Sequence, residues 1–178
     1  HQPQRQRQQD RSQPRSHLAP RRVVGRWAGT PGGIFRSTPG RIGISGLSAE
    51  QHVKFGRCIA KVANESGKRV VMLASGDLSH KLTVDGPYGY AKEGPKFDRL
   101  VTEAFRTSDF TGLLRMPVSI SEPAGECGLR SFLIMAGALE GMEVEGKLLS
   151  YEGPFGVGYA VASFLPKGER DPYVRLAQ

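Results

Sequence analysis

Cysteine is nearly absent from this chain of 178 residues. Cys58 and Cys127 are the only two, and they form no C-x-x-C pair. That excludes a disulfide framework and makes a reducing compartment the default. Long apolar runs are missing as well. Nothing approaches the roughly 20 consecutive apolar residues that a membrane-spanning helix needs, and the N-terminus lacks the apolar centre of a secretory signal. These absences lead us to expect a cytoplasmic protein without a membrane partner. Acidic residues are scarce in one place only: residues 1–41 hold nine arginines and a single acid, Asp10.

The formal net charge of +8 therefore belongs to a tail, because the remaining 137 residues carry 16 basic and 16 acidic side chains. A basic arm can contact nucleic acid through phosphates. However, the first 26 residues contain no aromatic side chain to stack on bases, so a nucleic-acid partner is not expected. The opening "HQPQRQRQQDRSQPRSHLAPRR" is low-complexity Gln, Arg and Pro, too poor in apolar groups to offset the entropy of ordering. The chain begins on His1 without Met, as a fragment or a misread frame would. Three regions are expected: a basic, disordered or non-homologous tail over 1–38, one domain over 39–165, and a linker with the start of a following domain over 166–178.

Within the domain, "RIGIS" (41–45) alternates as a short strand. "SAEQ" offers a capping box with Ser48 as N-cap and Gln51 three residues on. The helix that follows carries Phe55, Ile59 and Val62 on one side and stops before Gly67. "RVVMLAS" (69–75) reads as a strand buried on both faces, of the kind a parallel sheet uses; strand, helix and strand together imply a right-handed crossover. After the turn-rich "DGPYGYAKEGP", a second helix aligns Phe97, Leu100, Val101, Ala104 and Phe105. A third is expected from Pro123 through "GECGLRSFLIMAGAL" to Gly141, with "KLLSYEG" and "VGYAVASF" as closing strands. The predicted class is α/β, an open, mainly parallel sheet with helices on both faces.

Ligands of such sheets sit beyond the carboxyl ends of the strands. His80 lies there, five residues past the predicted central strand, in a loop with Gly76 and Asp77. It can move a proton near neutral pH, or it can simply bond a backbone carbonyl. Glu126, in the first turns of the predicted third helix, is the second candidate, because a buried carboxylate needs a partner or a metal. An i,i+4 pair with Arg130, or the favourable field of a helix N-terminus, is the favoured account of it from position alone. Cys127 reads as a small core residue or a ligand. "GPFGVG" imitates a phosphate loop but opens a strand, not a helix. Ser79 is too close in sequence to His80 to serve as its nucleophile, and His52 sits within a helix as a surface or core residue.

Taken together, "ASGDLSHKL", "DGPYGY", "EGPKFD", "AGECGLRSFLIMAGALEG" and "LLSYEGPFGVGYAVASF" resemble the C-terminal half of the class III extradiol ring-cleavage dioxygenase domain. More closely, they resemble the version fused to a second domain in the AmmeMemoRadiSam group, relatives of the Memo proteins. The terminal "DPYVRLAQ" resembles the opening of that group's following domain. The resemblance implies a catechol-type aromatic substrate and O2 as partners and non-haem Fe(II) as cofactor. It also implies His80 as the catalytic acid/base and Glu126 as the metal-binding carboxylate, with Cys127 as an alternative ligand in Memo-like relatives. Three protein ligands leave open positions on the metal for substrate and oxygen. The family's two metal-binding histidines precede the segment matching 41–45, and the role is not carried onto His1 or His17. The sequence is thus expected to represent a domain truncated in its N-terminal half, with an incomplete iron site. A metal-binding or protein-interaction module of the Memo type is the alternative, and self-association is left open.

Overall fold

The computed structural model describes residues 40–168. The expected tail, most of the expected C-terminal linker, His1 and His17 lie outside the described residues. The chain divides after Gly43, and the unit from Ile44 onward carries the secondary structure. It contains five helices, α1 (Ala49–Glu65), α2 (Glu93–Thr107), α3 (Thr111–Leu114), α4 (Val118–Ala124) and α5 (Leu129–Leu139). Two strands follow, β1 (Glu143–Glu152) and β2 (Tyr159–Lys167).

The capping box forms as expected. The Ser48 side chain accepts from the Gln51 N–H, and the Gln51 side chain accepts from the Ser48 N–H. The buried face of α1 differs from expectation: His52, Val53, Gly56 and Ala60 point inward, while Phe55 and Val62 are exposed. The reason is close helix packing. A Cβ on Gly56 would lie 2.8 Å from the Ala138 amide nitrogen, and one on Gly137 would lie 2.8 Å from the Val53 carbonyl carbon. Small residues bring the backbones of α1 and α5 together, and this turns the bulky stripe of Phe55, Ile59 and Val62 toward a shallow apolar groove. Helix α2 buries Phe97, Val101, Ala104 and Phe105 as its spacing predicts, with Leu100 left at the rim. Phe105, Phe110, Phe132 and Phe164 meet edge-on at centroid distances of 5.2–5.5 Å, joining α2, α5 and β2.

The sheet needs correcting. Among the described residues it has two strands only, paired antiparallel with a register shift between Leu148 and Ser150. The predicted closing strands are therefore present, but the open parallel sheet with helices on both faces is not. Residues 41–45 are exposed and form no strand, and residues 69–75 are extended without a ladder. Along the latter segment Met72 and Ala74 pack toward the core, whereas Val71 and Leu73 are 74% and 87% exposed. The segment keeps the two-residue alternation of a strand, but a strand exists only through a neighbour's backbone groups, and no described segment pairs along it.

The third predicted helix is also interrupted. Pro123 lies inside α4, Gly125 ends that helix with a left-handed φ of 65°, and α5 begins only after Gly128. Glycine adopts positive φ without the Cβ clash that other residues incur. Glu126 and Cys127 consequently stand in a tight turn between two helices, not on a helix face.

Candidate metal centre

Two short loops build the site. The first, residues 76–80, leaves the extended segment; the second, residues 124–128, joins α4 to α5. Their backbones touch, since a Cβ on Gly76 would lie 3.0 Å from both the Cys127 carbonyl oxygen and the Gly128 nitrogen. Reciprocal bonds lace them together. The Asp77 N–H donates to Cys127 Sγ at 3.2 Å, and the Cys127 N–H donates to the Asp77 carbonyl at 3.4 Å. The Ala124 carbonyl accepts from the Ser79 hydroxyl at 2.9 Å and from the His80 N–H at 3.2 Å.

This lacing brings one imidazole, one carboxylate and one thiol together. Ligand atoms of Asp77, His80 and Cys127 all lie within 4.8 Å of one another, and among the described residues no other trio of His, Cys, Asp or Glu gathers in this way. His80 Nε2 is buried without a hydrogen-bond partner. It sits 3.4 Å from Asp77 Oδ2, close enough for charge attraction but without hydrogen-bond geometry. The Tyr88 ring stacks on the imidazole at 5.1 Å. An unsatisfied imidazole nitrogen facing a carboxylate and a thiol is a donor set that suits a divalent transition metal.

Of the residues singled out from sequence, His80 and Cys127 come together here. Glu126 is outside the trio: its Oε2 accepts the Leu129 N–H at 2.7 Å, capping the start of α5, and among the described residues no ion pair joins it to Arg130. His52 is buried, with Nδ1 2.9 Å from the Ser48 carbonyl. "GPFGVG" forms the turn into β2, as its strand context implies. Sequence reasoning places Asp77 in the loop without giving it a role, although an acid three residues before a histidine at a strand end is legible as a pair of convergent side chains. It misses Asp98 entirely. That carboxylate is 1% exposed, with Oδ1 accepting the Ser79 N–H and Oδ2 the Tyr151 hydroxyl, each at 2.7 Å.

Burial pushes the Asp98 carboxyl above its ordinary value of 3.8, and the Ser79 N–H, the Tyr151 hydroxyl and the nearby His80 pull it back in part. Burial and the same carboxylate hold the Tyr151 phenol far above its usual range. A carboxyl that binds its proton more tightly when folded favours folding in acid. Its contribution falls as pH rises from about 3.8 through the raised folded value and is level beyond it. Tyr151→Phe removes a donor to the charged form, so the Asp98 pKa is expected to rise further. A carbon-detected NMR titration of that carboxyl checks this, and an unchanged or lower value would show that the phenol does not stabilise the carboxylate.

Residues 42–162 match the family described as the catalytic LigB subunit of aromatic ring-opening dioxygenase. The chain belongs to that family. It is also similar to Protein CA_C1420 of Clostridium acetobutylicum, with 36% identity over 159 residues covering 77% of this chain and 34% of that relative. The chain thus spans about a third of the relative's length. None of the described helices is long and apolar enough to cross a membrane.

Proposed function

We propose that this chain contributes one side of the active site of a metal-dependent ring-cleavage dioxygenase acting on a catechol-type substrate with O2. The observation that carries the reading is the buried, unpartnered Nε2 of His80, 3.4 Å from Asp77 Oδ2 in an imidazole that gathers with Asp77 and Cys127, in a chain that belongs to the ring-opening dioxygenase family. Asp77 and Cys127 would hold the metal, with Glu126 near them in sequence as a further carboxylate, and Fe(II) is the metal that fits the reading. When bound, the ion supplies Lewis acidity that makes a catechol hydroxyl easier to deprotonate. His80 receives that proton at Nε2, and Asp77 Oδ2 at 3.4 Å stabilises the resulting imidazolium. Tyr88, stacked on the ring, limits rotation of the imidazole and offers an aromatic surface beside the substrate.

A second reading follows from the thiol in the same trio. With Cys127 and Asp77, His80 makes a complete three-donor set, and the protein would be a metal-binding module without ring cleavage. His80→Ala separates the two. Under the dioxygenase reading, a protein that carries both sides of the site, loaded anaerobically with Fe(II), retains its iron by elemental analysis after His80→Ala but no longer forms yellow ring-cleavage products from catechols. Loss of the iron along with His80 would instead establish the imidazole as a ligand and favour the binding module.

A further inference from the structure

Ser79 is wired at every polar group. Its N–H donates to Asp98 Oδ1 at 2.7 Å, its carbonyl accepts the Gly158 N–H at 2.7 Å, and its hydroxyl donates to the Ala124 carbonyl while accepting the Lys81 N–H at 3.0 Å. The residue is fully buried. The peptide that carries His80 is therefore fixed from α2, from the end of α4 and from the turn before β2 at once.

Asp98 is the charged member of this arrangement, and its chemistry suits the place. Two donors, the Ser79 N–H and the Tyr151 hydroxyl, aim at one side chain, and a carboxylate offers an acceptor to each. An amide of the same size offers one acceptor oxygen, and its NH2 group would face the phenol. Gly158 leaves room for the carboxylate: a Cβ there would lie 2.9 Å from Asp98 Cγ. Burying a carboxylate is costly unless its hydrogen bonds are made. Here both oxygens are spent on the residue preceding His80 and on the strand facing it.

We propose that Asp98, clamped by Tyr151, is a positioning residue that acts through Ser79 to aim the His80 imidazole at Asp77 and Cys127. The inference rests on the proposed site, and its test has one arm that needs no metal. In the metal-free full chain, stacking on Tyr88 shifts the His80 ring protons upfield. In Asp98→Asn those resonances are expected to move toward unstacked values, and Co(II) affinity, read from the Cys127 thiolate-to-metal absorption band, to fall about 10-fold. Tyr151→Phe, at a partly exposed position, is expected to give smaller changes in the same direction, about 3-fold in affinity. A wild-type chain that binds no Co(II) would sink the metal site, and the ring-proton arm would still decide the positioning role. Asp98→Asn with unmoved His80 resonances overturns it, even where thermal stability falls. If Asp98→Asn does not fold, the same resonances unmoved in Tyr151→Phe overturn it.

Discussion

Arg57→Ala is expected to destabilise the domain by about 3 kcal/mol, near the lower end of what breaking a buried ion pair costs. For a chain of this size that corresponds to a melting temperature lower by about 6–12 °C. Arg57, on α1, forms a fork with Glu140, the residue that ends α5: Nε meets Oε2 at 2.5 Å and Nη2 meets Oε1 at 2.8 Å. The exposures are unequal, 25% for the Arg57 side chain and 1% for Glu140. Truncating Arg57 therefore takes the guanidinium away from a carboxylate that water does not reach, and desolvation of that carboxylate dominates the loss. The same bond holds the guanidinium pKa above its ordinary value, so Arg57 stays charged throughout the working range. Arg57→Lys keeps the charge without the planar fork and is expected to lose less. Replacing both partners, as in Arg57→Met with Glu140→Leu, is expected to recover most of the stability. Urea denaturation of the four proteins measures this. A cost below about 1 kcal/mol for Arg57→Ala would mean that the other contacts of Glu140 suffice.

That ion pair also illustrates how much of this fold is legible in sequence. Features set by neighbours along the chain can be read directly. The Ser48–Gln51 capping box, the buried stripe of α2 and the two closing strands follow from spacings of three, four and two residues. Features set by partners far along the chain cannot. Arg57 and Glu140 are 83 residues apart, and Asp98 and Tyr151 are 53 apart, so no local pattern announces either pair. The apolar run at 69–75 predicts a buried strand because strand-forming residues are all that composition can show; the strand itself needs a paired backbone. The apolar "GECGLRSFLIMAGAL" predicts one helix, and the positive φ at Gly125 that divides it appears only in the structure. At the site, family resemblance directs attention to His80, Glu126 and Cys127; the i,i+3 spacing of Asp77 and His80 is local, whereas the approach of Cys127 to that pair depends on the contact between two loops 50 residues apart.

The contact between those loops carries the second large effect. Gly76→Ala is expected to weaken Co(II) binding by about 100-fold, because a metal site tolerates only about 0.5 Å of misplacement among its ligands. The new methyl would meet the Cys127 carbonyl oxygen and the Gly128 nitrogen at 3.0 Å. These are backbone atoms with no rotamer to yield, so the loop bearing Asp77 and His80 must move away from the loop bearing Cys127. Gly128→Ala acts from the other side, with its Cβ 2.8 Å from the Asp77 carbonyl oxygen and 2.7 Å from the Phe132 ring. Each substitution is expected to cost about 1–3 kcal/mol of stability through overpacking. Gly112→Ala is the control: a Cβ there meets nothing within 4 Å, and in a helix it is expected to be neutral or slightly stabilising. Co(II) titration beside urea denaturation distinguishes a displaced site from a weakened fold. Wild-type affinity in Gly76→Ala would show that the two loops do not have to touch for Asp77, His80 and Cys127 to converge on an ion, and the trio would lose its claim to be a preorganised centre.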